Sequence, residues 1–126
     1  MPCAADAAPP RSAVSSPLVG IVDGQRAHLT LVHPGGKHAE VCEAVLAFVD
    51  DQARSLKQQA VRIGPGQGTV LALDWSEGGL PNPRGRLHCR AVVTPLNDAC
   101  NAAIAGHEII NNADERTTVF IGVYQV

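Results

Sequence analysis

Aromatic residues are scarce in this chain of 126 residues, at 3% of the total. So few flat rings leave little with which to stack the bases of single-stranded nucleic acid. Basic residues are not clustered either, since 10 Lys and Arg stand against 12 Asp and Glu, for a formal net charge of -2. This balance does not favour binding to a phosphate backbone. The sequence therefore predicts no nucleic-acid partner.

Long apolar runs are also lacking. No uninterrupted apolar stretch approaches the roughly 20 residues that span a bilayer, so we expect no membrane segment. Residues 1–17 are rich in Ala, Pro and Ser and lack the basic start and apolar stretch of a secretory signal. We interpret them as a flexible leader that precedes one domain over residues 18–126. An apolar content of 45% suffices to build its core from aliphatic side chains.

Spacings typical of metal and redox sites are missing. The cysteines form no C-x-x-C pair, which argues against a zinc knuckle or a thioredoxin-like motif. The five histidines are dispersed, and no cofactor or metal is expected. We interpret Cys42, Cys89 and Cys100 as buried reduced thiols, which favours a cytoplasmic location.

The most regular pattern that is present lies in residues 39–60. Apolar side chains recur there at spacings of three and four, and the segment has no Gly or Pro. Acids come early and bases late, as suits a helix dipole. Asp50 and Arg54 are spaced to pair on one helical turn. This segment predicts one long amphipathic helix.

Strand patterns surround that segment. Asp23-Gly24 between two apolar runs predicts a β-hairpin over residues 18–32, with one strand bent at Gly24 as the alternative. The Gly-rich run 64–68 lacks the Lys-Ser/Thr of a phosphate loop, and we interpret it as a connection from helix to strand. A turn is expected at 111–114, and Gly106 is a candidate bulge. Further strands are predicted over 69–75, 86–93 (with one face in water), 99–110 and 117–126.

The later segments of the chain share a rhythm with a known family. They read GTVLALDW at 68–75, LPNPRGRLHCRA at 80–91 and VFIGVYQV at 119–126. This resembles hotdog-fold acyl-CoA thioesterases of the phenylacetate-pathway type. The resemblance implies an α+β domain in which an antiparallel sheet wraps around one long central helix, here 39–60. It also implies a homodimer or homotetramer that acts on an acyl-CoA or acyl-carrier thioester.

The same resemblance implies a site. A helix carboxylate would activate water or attack the thioester, and backbone amides at the helix N-terminus would stabilise the oxyanion. The candidate catalytic residues are Asp51, then Asp50 and Glu43, with His38 at the helix entry. The oxyanion and substrate-binding candidates are Gly35, Gly36 and Ala39. The candidates for binding the phosphates of coenzyme A are Arg84, Arg86 and Arg90.

Three alternatives remain open from the sequence. The chain could be a non-catalytic module that binds a thioester or another ligand, or that serves assembly. It could resemble hotdog dehydratases, with His33 in a Pro-Gly loop and Glu43 as the acid. It could also be an α+β structural protein of another topology. The acids and arginines would then be ordinary solvated surface residues.

Overall fold

The computed structural model describes residues 13–35, 40–78 and 85–126, with side chains omitted for 121–125. These residues form nine strands, all paired antiparallel, in two sheets. Sheet A contains β1 (Val14–Ser15), β2 (Val19–Ile21), β4 (Cys42–Asp50), β5 (Ser55–Ile63) and β7 (Leu87–Pro95). Sheet B contains β3 (Gln25–Val32), β6 (Gly68–Asp74), β8 (Ile104–Asn111) and β9 (Arg116–Gln125).

Strand order within the described residues shows which strands lie at the edges of the two sheets. In sheet A the order is β5-β4-β7, and the short β1 and β2 both pair with the far side of β7. In sheet B the order is β6-β3-β8-β9, so β6 and β9 are its edges. Two 3-10 helices, Trp75–Gly78 and Asp98–Ala102, follow β6 and β7.

The two sheets pack face to face as a β-sandwich. Every second residue of β7 from Leu87 to Pro95 is buried, as expected for a strand with one face in the core. The ring of Phe48 in sheet A lies 5.7 Å from that of His107 in sheet B, edge to face. One hydrophobic cluster joins both inner faces, with Leu46 and Val93 from sheet A and Leu29 and Leu73 from sheet B among its members.

The predicted helix at 39–60 is wrong. Residues 40–63 instead contain the hairpin of β4 and β5. Between Ala44 and Val49 every residue of β4 is apolar, so residues on the core face and on the outer face alike are hydrophobic, and the strand pairs with β5 on one side and β7 on the other. A continuous apolar run of this length also satisfies helical spacing, so periodicity alone could not distinguish a strand from a helix. Tertiary pairing decided between them.

The hotdog resemblance and its α+β fold class fail for the same reason. A hotdog fold needs a long helix enclosed by a sheet, and the described residues contain only short 3-10 helices. The core that a central helix would fill is filled by side chains from two facing sheets. The chain is therefore an antiparallel β-sandwich in its described part.

Neither form of the expected hairpin at 18–32 is present. The turn at 23–24 does form, with Gln25 N donating to Val22 O at 3.0 Å and Gly24 at a φ of 90° that favours glycine. However, β2 pairs with β7 in sheet A while β3 lies in sheet B. The turn therefore carries the chain from one sheet to the other.

The later strand predictions are largely confirmed. The segments 69–75, 86–93 and 117–126 correspond to β6, β7 and β9, and β7 does have one more exposed face. The expected turn before β9 forms at residues 112–115. The segment 99–110 divides into a 3-10 helix and β8, and the pairing shifts there after His107 rather than at Gly106. The Gly-rich run 64–68 joins two strands, because the helix before it does not exist.

One disulfide joins the start of β4 in sheet A to the connection between β7 in sheet A and β8 in sheet B. Cys42 at the start of β4 is bonded to Cys100 in the second 3-10 helix, with a Cα–Cα distance of 4.7 Å. The interpretation of these two residues as reduced thiols is therefore wrong. It is confirmed for Cys89, a buried free thiol. Burial raises the pKa of the Cys89 thiol to about 11, so it stays protonated and unreactive at neutral pH.

Candidate functional site

A serine and a histidine meet in the core, although 91 residues separate them in the sequence. Ser16 Oγ lies 2.9 Å from Nδ1 of His107. The segment after β1 positions Ser16, whose backbone N donates to Ala91 O at 2.9 Å. His107 faces inward from β8 and is fully buried. Such a pair is the starting point for nucleophilic catalysis, so its hydrogen-bond geometry decides what it can do.

The hydrogen bonds around Ser16 assign the tautomer of His107. Ser16 Oγ accepts a hydrogen bond from Ala91 N at 2.9 Å and lies 3.0 Å from Pro17 O, to which it can only donate. A hydroxyl has one proton, so if that proton goes to Pro17 O, then His107 Nδ1–H must donate to Ser16 Oγ. This arrangement satisfies all three partners. The opposite tautomer would place a buried N–H at His107 Nε2, which has no hydrogen-bond partner among the described residues.

This arrangement does not activate Ser16. A general base must accept the serine proton, whereas here the imidazole donates to the serine oxygen. Burial lowers the pKa of His107 to about 4, so the ring is neutral at physiological pH. His107 Nε2 is buried without a hydrogen-bond partner among the described residues. The pair therefore anchors the chain after β1 to both sheets rather than forming a nucleophile.

His33 is a second buried histidine, and it is fully satisfied. Its Nε2 donates to Glu40 O at 2.7 Å, and its Nδ1 accepts from Gly35 N at 3.2 Å. Its backbone N and O bond Gln67 O and Gly66 N, both at 2.8 Å. His33 therefore holds the β3–β4 connection against the β5–β6 turn. Both ring nitrogens of His33 thus have backbone partners, which gives this histidine a structural role.

The predicted catalytic acids are not brought together. Asp50 ends β4 and points inward, whereas Glu43 lies at the other end of β4 on the outer face. Seven residues of strand separate them, or about 24 Å. Asp51 is exposed in the turn that follows β4. The helix that was expected to carry all three is absent from the described residues, whereas the catalytic roles of Asp51, Asp50 and Glu43 stay a prediction.

Asp50 has a structural task. Its Oδ1 accepts from Gln52 N and Arg54 N, and its Oδ2 accepts from Arg54 Nε, all within 2.9 Å. Burial alone would raise the pKa of this carboxyl, but these hydrogen bonds and the Arg54 charge outweigh burial and lower it. The carboxylate thus closes the β4–β5 turn, in which Ala53 adopts a positive φ of 64°.

The remaining predicted residues are dispersed. Gly35 lies beside the β5–β6 turn, and its N–H is already donated to His33. Arg86 is exposed just before β7, and Arg90 on β7 donates to Ser15 Oγ at 3.1 Å. The structure therefore does not group these arginines with Gly35. Other predicted residues lie outside the described residues, namely Gly36, His38, Ala39 and Arg84.

A network of polar side chains covers one end of the outer face of sheet B. Arg26 donates to His28 Nε2 at 2.9 Å, to Asn112 Oδ1 at 2.6 Å and to Glu115 Oε1 at 2.7 Å. Asn112 in turn donates to Asp74 Oδ2 at 2.9 Å. Burial and the Arg26 charge lower the pKa of His28, which accepts as a neutral ring. These groups satisfy one another, so the network ties β3 and β6 to the β8–β9 turn.

The other end of that outer face is apolar. Val32 on β3 lies directly opposite Ile104 on β8, and Val70 on β6 lies one diagonal step from Val32. All three are exposed, Val70 to 51% and Val32 to 44%. We call Val32, Val70 and Ile104 the apolar patch. It borders the free edge of β6, and exposed apolar groups beside a free strand edge are the usual signs of a protein-binding surface.

Comparisons with known proteins give no family for this sandwich. No protein-family model, no curated protein and no solved structure matches the chain. Within residues 13–35, 40–78 and 85–126, no three His, Cys, Asp or Glu side chains are grouped to hold a metal ion. In the same part of the chain, no helix has the length and apolar character to cross a membrane. Function must therefore be argued from the geometry alone.

Proposed function

We propose that this domain is a non-catalytic assembly module that accepts a partner β-strand along the free edge of β6. The observation that carries the proposal is the regularity of that edge. All seven residues of β6 pair with β3 in unbroken register, from Asp74 opposite Arg26 to Gly68 opposite Val32. The strand contains no Pro and no charge before Asp74. A regular, uncharged edge is a template for strand addition.

The other edges are blunted, which makes β6 distinctive. Lys57 on β5 lies opposite the core residue Phe48, so it points inward, and its Nζ pairs with Glu77 at 2.9 Å. The register between β8 and β9 shifts twice, which twists that edge. The strands β1 and β2 are only two and three residues long. Inward charges, bulges and short strands are the known means of preventing strand addition.

Thioester hydrolysis, the activity expected from the sequence, is a separate prediction that a direct assay can test. It needs a carboxylate or nucleophile beside oxyanion donors. Glu43 lies far from Asp50, and hydrogen bonds already occupy Ser16 Oγ. Both observations favour the non-catalytic role. Incubation with acyl-CoA esters of several chain lengths, with thiol release as the readout, should give no turnover above the rate without protein. Enzymatic turnover would contradict the proposal.

The strand-acceptor role can be tested with a synthetic strand. A lysine-capped peptide of alternating Thr and Val should slow hydrogen exchange in residues 68–74, because it would pair with the amides there that donate neither to β3 nor, at Asp74, to Glu77 Oε1. The same peptide with alternate N-methylated amides, which cannot donate, should have no effect. Val70→Lys should weaken peptide binding at least tenfold, while Val119→Lys on the β9 edge should not. Unchanged exchange in 68–74 at saturating peptide would refute strand addition at β6.

The disulfide bears on location. Bonds between cysteines persist in oxidising compartments and are rare in the reducing cytoplasm. We propose that the Cys42–Cys100 bond places the working protein in an oxidising compartment, in contrast to the cytoplasmic location expected from the sequence. Thiol labelling of protein taken directly from its native cells, with thiols trapped before lysis, should find these two cysteines protected. Labelling of both would favour the cytoplasm.

A further inference from the structure

We propose that the strand added to β6 is β6 of a second copy of this chain. This inference rests on the proposed function and names its partner. Pairing about a two-fold axis would join two four-stranded B sheets into one continuous sheet. The register, the side chains and the charges of β6 are compatible with such a pair.

The two-fold axis restricts the register. When the axis is perpendicular to the sheet, the outer faces of both copies lie on the same side, and opposed residues must share a face. The sum of two opposed residue numbers is then even. The register that opposes Gly68 to Asp74 of the second copy uses the whole strand, and any other even register leaves residues of β6 unpaired. In this full register, Leu71 lies opposite Leu71 of the second copy.

The side chains of β6 complement one another in that register. On the outer face Val70 lies opposite Ala72 of the second copy, and Gly68 lies opposite Asp74. Each large side chain therefore meets a small one, which lets the strands approach without a clash. Val70 is the most exposed member of the apolar patch, and pairing would cover it from the side on which it now meets water. On the inner face Thr69 meets Leu73, both suited to a sheet.

The charges do not oppose this pairing. Asp74 is the only charged residue of β6. The two Asp74 carboxylates would be six residues apart along the paired strands, or about 20 Å. That distance exceeds the Debye length of about 8 Å at physiological ionic strength, so their repulsion is screened. Asp74 also accepts from Asn112 and lies near Arg26 within its own copy.

The size of the interface sets the expected affinity. Seven opposed residues would share roughly six to eight backbone hydrogen bonds. A single strand pair buries less than a standard stable interface, so the dimer should dissociate on the order of micromolar concentrations. We therefore expect a monomer–dimer equilibrium rather than an obligate dimer.

Sedimentation velocity over a hundredfold range of concentration tests the partner. The wild-type protein should shift from monomer to dimer, Val70→Lys should stay monomeric, and Val119→Lys, which changes a residue of similar exposure on β9, should behave as wild type. A wild type that is monomeric throughout, yet still protected by the synthetic strand, would overturn the second copy as partner and leave strand addition intact. A protein that neither dimerises nor binds the synthetic strand would contradict both strand addition at β6 and the second copy as its partner. A dimer that survives Val70→Lys would place the interface elsewhere.

Cysteine cross-linking tests the register, in a Cys3→Ser background. A mixture of Val70→Cys and Ala72→Cys chains should form a mixed disulfide dimer under mild oxidation, identified by mass spectrometry of the joined peptides. Val32→Cys chains supply the control, because Val32 is similarly exposed but lies one strand away from the edge. More efficient joining of Val70→Cys to itself than to Ala72→Cys would overturn this register. Joining of Val32→Cys at the same rate would show random collision.

Discussion

Removal of the Cys42–Cys100 disulfide should destabilise the sandwich strongly. The bond closes a loop across a sequence separation of 58 residues. A cross-link over a loop of this length restricts the unfolded chain and is worth about 4 kcal/mol of unfolding free energy in the chain-entropy model. For a chain of 126 residues, that loss corresponds to a fall in melting temperature of about 15 °C.

Thermal unfolding followed by circular dichroism, with and without a phosphine reductant, measures the effect. The wild type should melt about 15 °C lower when reduced. The Cys42→Ala/Cys100→Ala variant should melt at one temperature in both conditions. Cys89→Ala supplies the matched control, because it removes a buried thiol but keeps the bond. It should therefore lose stability on reduction by the same increment as the wild type.

Thiol counting in denaturant supplies an independent check of the same reasoning. Four cysteines less the two in the bond leave two for alkylation without reductant, and four after reduction. Alkylation of all four without reductant, together with a melting temperature insensitive to reductant, would refute the pairing. A bond present by mass but without effect on melting would refute the entropic estimate instead.

Three smaller predictions follow from single residues. Burial lowers the pKa of His107 from 6.5 to about 4, so as pH falls the unfolded state binds a proton before the folded state does. The wild type should therefore lose about 3 kcal/mol of unfolding free energy between pH 7.5 and pH 4. In urea titrations, the unfolding free energy of His107→Gln should depend less on pH over this range. The lowered pKa of Asp50 gives stability that is present above the unfolded pKa and lost as pH falls through the folded value, so Asp50→Asn should be less stable at neutral pH and lose less on acidification below pH ~4. Ala53→Gly relieves a positive φ of 64° and should raise stability by about 0.5 kcal/mol after the entropic cost of glycine, whereas a lower melting temperature would contradict strain at this turn.

The strands that the sequence predicts well, β7 and β9, have a strand signal within their own residues. In β7 the order of polar and apolar residues alternates without interruption, so period two is visible from Leu87 onward. In β9 the β-branched run after a turn is equally plain. These signals are local, because they depend on the order of residue types within each strand and not on the neighbouring strands. Their partners and their sheets could not be predicted from such a signal.

The central strand shows why the rest could not be predicted. Within Cys42–Asp50 the residues from Ala44 to Val49 are all apolar, so no alternation of polar and apolar residues marks the strand. Ala, Leu and Glu within it also favour helices, so propensity supported the wrong prediction. Only the paired neighbours remove the ambiguity, because Lys57 lies opposite Phe48 from 9 residues away in the sequence and Val93 lies opposite Leu46 from 47 residues away. The predicted helix also agreed with the resemblance to a helix-centred fold that the segments at 68–75, 80–91 and 119–126 had indicated.

The candidate site was beyond reach of sequence patterns for a different reason. Ser16 and His107 have no characteristic spacing, and their hydrogen bond exists because sheet A, which contains β1, packs against sheet B, which contains β8. The edge of β6 is likewise a property of strand order, since the same seven residues would be unremarkable in the centre of a sheet. Its composition was visible in the sequence, but its position was not.

The features of the other edge strands support a functional role for the open edge of β6. An open, regular edge exposes a protein to uncontrolled aggregation, and three other edges of this sandwich carry means of preventing it. A charge at Val70 or Ala72 would block β6 without touching the core, because both side chains lie on the outer face. The chain instead has a large and a small apolar residue at these positions, and in an antiparallel pair of two β6 strands Val70 of each copy would lie opposite Ala72 of the other. A dimer sealed by two such edges would leave no regular edge open, so assembly would also remove the hazard.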